Sequence, residues 1–294
     1  MPSVRHTLAS ASDVGGMTFK LLALMGILGA APLYDLPADV AARSREARRE
    51  LGKRAAVETV EDVFILVTPA GAGSLGETKG LAKQVLEAYF NGRFSKRPAQ
   101  AISVYLFPSA KPYEAYCQKR WGEACGSPYG FYRPDERRIV MNAGPGIGTL
   151  THELVHPIVE TDFPEAPEWL NEGIASLFEA LSMPSPGQVH GVKNWRHPRL
   201  VRALRSDKER DQASLPALLA MNDATFRNED EDLHYATARY FCQWLDQHGQ
   251  LWPFYQRYRD HHAQDPSGAQ SFRAVTGKTP AEANDDWARW VKRL

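Results

Sequence analysis

The chain predicts an α+β fold in which a small mixed β-sheet subdomain on the amino-terminal side is followed by a mainly helical subdomain. Three observations carry this. Two short runs, 63–67 (Val-Phe-Ile-Leu-Val) and 102–107 (Ile-Ser-Val-Tyr-Leu-Phe), have the length and residue types of buried strands. Each is followed by a stretch of helical periodicity, at 76–94 and 111–121. Beyond residue 147 apolar residues recur at helical spacing almost to the C-terminus.

The composition fits an ordinary globular protein, 43% hydrophobic and 24% charged over 294 residues, enough for one large or two modest domains. With 35 basic and 35 acidic residues, nothing favours nucleic acid or an anionic membrane surface as the main partner. No signal specifies an oligomeric state.

Residues 1–36 read as a signal peptide or a short anchor. Lys20 precedes the apolar run Leu21-Leu22-Ala23-Leu24-Met25-Gly26-Ile27-Leu28-Gly29-Ala30-Ala31, which ends at Pro32. That run suits the core of a signal peptide and is too short to span a bilayer. The protein is therefore expected to be exported (periplasmic, secreted or membrane-anchored), with the membrane involved only through this segment. Residues 37–60 are dense in charge, with Arg43, Arg45, Arg48, Arg49, Lys53 and Arg54 interleaved with Glu46 and Glu50, and read as a charged helical spacer.

Residues 61–146 form the expected α/β subdomain. Its last feature is a hairpin in which Phe131-Tyr132 and Arg138-Ile139-Val140-Met141 flank Arg133-Pro134-Asp135-Glu136-Arg137. Cys117 and Cys125 lie close together in this region, and in an exported protein they are expected to form a disulfide. Cys242 falls on an apolar helix face and reads as a buried free thiol.

Residues 147–294 form the helical part and carry the chemistry. His152 and His156 are four apart, so on a helix their imidazoles share one face and can share one tetrahedral Zn²⁺. Glu153 lies about 100° round the helix, outside that pair but within reach of a water on the metal, where a general base belongs. A third ligand must come from elsewhere, and Glu172 is the leading candidate. Pro157 follows the second histidine and disfavours helix around it.

His152-Glu153-x-x-His156 with Trp169-Leu170-Asn171-Glu172-Gly173-Ile174-Ala175 resembles the active site of the gluzincin metallopeptidases, including bacterial peptidase MA-like domains. The resemblance implies a zincin-like fold, one Zn²⁺ per chain held by His152, His156 and Glu172, and Glu153 as the base. It also implies hydrolysis of a peptide or protein substrate. The Gly-x-Met-Glu-Asn segment of the aminopeptidases in that group is missing, which favours an endopeptidase. The His156–Glu172 interval is also shorter than in those enzymes. Their helix bearing a catalytic tyrosine is similar to the stretch starting at Tyr235, which implies that Tyr235 donates to the oxyanion; His234 is the neighbouring alternative.

Glu179 is seven residues beyond Glu172 and would return to the same helix face, as a support for the site or as a solvated carboxylate. The position that is acidic in thermolysin-like members is Ser176 here. The loop with His190, Trp195 and His197 is read as either cleft rim or plain surface. Thr279-Pro280-Ala281-Glu282 starts a helix with a capping box. A non-catalytic zinc-binding scaffold or substrate-binding domain of the same fold is the alternative to an enzyme.

Overall fold

The computed structural model describes residues 34–294 other than Ser74, Ile147 and Glu229. The expected signal peptide or anchor, up to residue 33, lies outside the described residues. Helix α1 (Leu36–Leu51) starts the fold, with Asp35 as its N-cap accepting from the Ala38 amide. Strands β1 (Ala56–Val60) and β2 (Phe64–Thr68) follow, then helix α2 (Gly76–Phe90), strand β3 (Ile102–Phe107) and helix α3 (Ala110–Trp121). The hairpin β4 (Gly130–Arg133) and β5 (Arg138–Asn142) completes the sheet.

The strand order is β1-β2-β3-β5-β4. The three central strands run parallel, and an antiparallel hairpin partner closes each edge. All five residues of β2 are buried. Phe64 and Leu66 face the large core, whereas Ile65 and Val67 face a smaller one with Ala47 of α1 and Tyr113, Tyr116 and Cys117 of α3. A continuous apolar strand is what a sheet covered on both faces demands.

The reading of 37–60 as one charged helical spacer is corrected on two counts. The helix stops at Leu51, and Ala56–Val60 is an edge strand paired with β2. The connecting turn places Glu61 and Asp62 at positive φ (50° and 58°), a conformation usually advertised by Gly or Asn. Nor is α1 merely solvated. Arg138 of β5, with a side chain 2% exposed, holds Glu46 and Glu50 of α1 at 2.9 Å each and Glu136 at 3.1 Å.

The rest is helical: α4 (Gly148–Glu153), α5 (Val155–Asp162), α6 (Glu168–Leu177), a two-residue ribbon β6 (Leu181–Ser182) and β7 (His190–Gly191), α7 (His197–Ala203), α8 (Leu215–Leu219), α9 (Asp223–Phe226), α10 (Glu231–Gln247), α11 (Leu251–His261), α12 (Ala269–Thr276) and α13 (Pro280–Arg293). Sheet and helices share the large core, which runs from Val60 to Val291. The central pair is α6 on α10. Gly173 permits it, because a Cβ there would stand 3.0 Å from both the Ala238 carbonyl oxygen and Cys242 Sγ. The capping box at Thr279 and Glu282 is present. Helix α6 ends at Leu177, short of Glu179, which the sequence places on the same helix face as Glu172, because the chain then turns to pair β6 with β7.

Cys117 and Cys125 form a disulfide, and Cys242 is buried and free. The disulfide is consistent with an extracellular location. Among the described residues no helix is long and apolar enough to cross a membrane.

Candidate metal centre

Helix α4 begins beside the sheet and points its last turn into a cleft of about 1240 Å³. Its first residue has to be small: a Cβ on Gly148 would lie 2.3 Å from the Glu179 carbonyl oxygen. His152 and His156 are not on one unbroken helix. The break falls at Leu154, because Pro157 has no N–H to offer the Glu153 carbonyl. Leu154 nevertheless keeps helical dihedrals (φ −66°, ψ −22°) and donates its amide to the Leu150 carbonyl, so the chain holds its direction. The two imidazole centroids end 4.9 Å apart.

Ligand atoms of His152, Glu153 and His156 lie within 4.8 Å of one another, so these residues could hold a metal ion. Glu153 is nearer than its place round the helix implies: its long side chain folds back until Oε2 is 3.8 Å from His156 Nε2. Glu172 comes in from α6. Its Oε2 is 3.3 Å from His152 Nε2 and 4.0 Å from His156 Nε2. Tetrahedral bonds of about 2.0–2.1 Å put neighbouring ligand atoms roughly 3.3 Å apart, so these separations suit a shared cation. A second sign agrees: Glu172 Oε2 is buried without a hydrogen-bond partner among the described residues, a costly state unless a cation satisfies it.

The far side of each group also meets a polar side chain. His156 Nδ1 donates to Asn171 Oδ1 at 3.0 Å, which leaves Nε2 as the free lone pair. His152 Nδ1 faces Glu179 Oε1 at 3.4 Å, and Arg196 grips Glu179 with two bonds of 2.8 and 3.0 Å. Glu172 Oε1 accepts from Arg227 Nη2 at 2.6 Å. The support expected from Glu179 thus comes from the turn after α6 and not from another helical turn. Ser176 is buried in the packing and faces none of these groups with a hydrogen bond.

The electrostatics follow from burial and these pairings. Burial disfavours charge on His152, but the Glu172 and Glu179 carboxylates outweigh it and push its pKa up to about 10. Burial raises Glu153, only partly countered by the two histidines, which makes it a stronger base than an ordinary carboxylate. Glu172 is also buried, yet His156, His152 and Arg227 hold it well below the usual carboxylate range.

Tyr235, near the start of α10, lines the same cleft, and its hydroxyl accepts from Arg227. Burial and the Glu172 carboxylate keep the phenol protonated well past its ordinary range, so it remains a donor. His234 is turned away: it is buried, with Nδ1 on the Phe226 carbonyl. Of the loop residues, Trp195 is on the rim at 67% exposure. His190 instead pairs with Asp246, and His197 bonds the Val291 carbonyl. The edge strand β4 also lines the cleft, with Gly130, Phe131 and Tyr132, preceded by Tyr129 a few residues after the disulfide.

Asn171, Arg196 and Arg227 have no assigned role in the sequence reading. Asn171 sits inside the quoted motif, so a signal was at hand. Arg196 and Arg227 come from loops, where no periodicity marks a side chain's direction.

Residues 146–265 match a family described as "Protein of unknown function (DUF1570)". That segment contains every residue named above for the centre and excludes the sheet. Among curated proteins, none matches the chain.

Proposed function

We propose that this protein is an exported zinc-dependent peptidase of gluzincin type, with an endopeptidase favoured. The observation that carries the reading is the convergence of Glu172 Oε2 on both histidine Nε2 atoms, with Glu153 beside them. His152, His156 and Glu172 would hold the ion, a donor set of two imidazoles and one carboxylate that suits Zn²⁺. When bound, zinc lowers the pKa of its water toward neutrality and polarises the substrate carbonyl.

The chain's own residues do the rest. Glu153, buried beside His156 Nε2, takes the proton of the attacking water and returns it to the leaving amine. Tyr235 donates its hydroxyl to the oxygen that becomes negative. Strand β4 lies at the edge of the sheet beside the cleft, where an extended peptide would add to the sheet and lie across the site. The wild-type protein and Glu153→Gln, both loaded with zinc, are to be compared on unstructured protein substrates. Cleavage by the wild type alone supports the reading, and equally low activity in the two with zinc retained would end it in favour of a non-catalytic zinc-binding scaffold.

A further inference from the structure

Each of the three groups facing the metal position has a second polar atom turned away from it. His152 is met there by Glu179, and His156 by Asn171. For Glu172 the partner is Arg227, which reaches in from the turn after α9. We propose that Arg227 is a positioning residue that restricts Glu172 to one metal-facing oxygen and sets the Tyr235 phenol on the open side. The inference rests on the zinc-site reading.

Two bonds carry it. Nη2 donates to Glu172 Oε1 at 2.6 Å, and Nη1 donates to the Tyr235 hydroxyl at 2.5 Å. The remaining partners, Glu168 and Glu231, are 34% and 45% exposed, against 6% for Glu172. Water screens the first two pairs, so the Glu172 pair is the strong one. A carboxylate without such a partner can swing both oxygens onto the ion. That would add a ligand and crowd the position a substrate oxygen needs. The planar guanidinium fork occupies Oε1 and the phenol together, and the compact ammonium of a lysine has no geometry to reach both. No motif or periodicity in the chain singles out Arg227.

The test uses Arg227→Ala and Arg227→Lys in the full protein. Zinc affinity is measured by competition with a chromogenic chelator, and the visible spectrum of the cobalt-substituted protein reports ligand number. Arg227→Ala is expected to weaken zinc about 10–100-fold. Its cobalt absorption should also lose intensity as a fifth ligand enters, and Arg227→Lys should recover only part of both. Where peptides are cleaved, kcat should fall more than KM rises. Wild-type zinc affinity together with an unchanged cobalt spectrum in Arg227→Ala would overturn the proposal. Absence of peptide cleavage by the wild-type protein would instead strike the peptidase reading, with the zinc and cobalt measurements still deciding the role of Arg227. Metal-free thermal unfolding of each variant separates loss of the site from loss of the fold.

Discussion

Glu179 Oε1 stands 3.4 Å from His152 Nδ1, and the same carboxylate is clasped by both arms of Arg196. The imidazole thus has a carboxylate at ion-pair distance behind it, from a residue twenty-seven positions along the chain. Glu179→Ala and Asn171→Ala should each weaken zinc about 10–100-fold while leaving the fold intact. Chelator competition and far-UV circular dichroism check this. An affinity equal to that of wild type in both variants would mean that the imidazoles orient themselves.

Glu153→Gln keeps the size of the side chain and removes the base. Turnover is expected to fall about 10²–10⁴-fold with zinc retained. Metal analysis alongside the rate decides whether a loss is chemical or merely reflects an empty site.

Stability should depend on the metal. Zinc at about a thousand times its Kd adds roughly 4 kcal/mol, or about 10 °C in Tm for a domain of this size. Stripping with a chelator should reverse the gain, and His152→Ala should abolish it. A Tm that ignores zinc in the wild-type protein would contradict the site as drawn.

Acid should loosen α1. Glu50 is partly buried, which opposes ionisation, but Tyr105 and Arg138 beside it prevail and lower its pKa below the ordinary 4.5. Glu136 is lowered against its burial by Trp121, Arg120 and Arg138. Carboxylates depressed in the folded state contribute stability that is complete above about 4.5 and lost as pH falls through their folded values. Urea unfolding between pH 7 and 3 should therefore lose less midpoint in Arg138→Met than in wild type. Identical acid slopes would show that the cluster does not govern this window.

The disulfide closes a small ring, so its removal should cost about 2–3 kcal/mol. Its local effect is of greater interest. Cys125 directly precedes Gly126, Ser127, Pro128 and Tyr129, which wall the cleft and lead into β4. The double variant Cys117→Ser, Cys125→Ser is expected to raise KM for an extended substrate more than it lowers kcat. An unchanged KM would detach this loop from substrate binding.

Features with a period or a motif were legible in the chain. Strand 102–107 matches the predicted bounds, because its residues, apolar at every position but Ser103, have no competing helical reading. His152, His156 and Glu172 were readable from spacing and resemblance. Strand β1 was not, since its charged neighbours mimic helix and its turn uses Glu61 and Asp62 where Gly is usual. The break at Leu154 was announced by Pro157, but its harmlessness was not. That depends on Leu154 keeping helical dihedrals once packed. Arg196 and Arg227 emerged only with the tertiary fold, because their roles are defined by groups distant in sequence.

Arg138 also determines where this protein can be cut. A shortened chain starting at the first strand, Ala56, would still hold every sheet element and the whole cleft. It would lack Glu46 and Glu50, leaving Arg138 with Glu136 as its remaining carboxylate, and it would lack Ala47, which packs with Ile65 and Val67 of β2. Uncovering one face of a sheet that is apolar on both returns its side chains to water at about 25 cal/mol per Å², a serious loss against the roughly 5–15 kcal/mol that holds a domain together. Recombinant fragments are therefore best begun ahead of Asp35, so that the cap, the helix and both carboxylates stay with the sheet they neutralise.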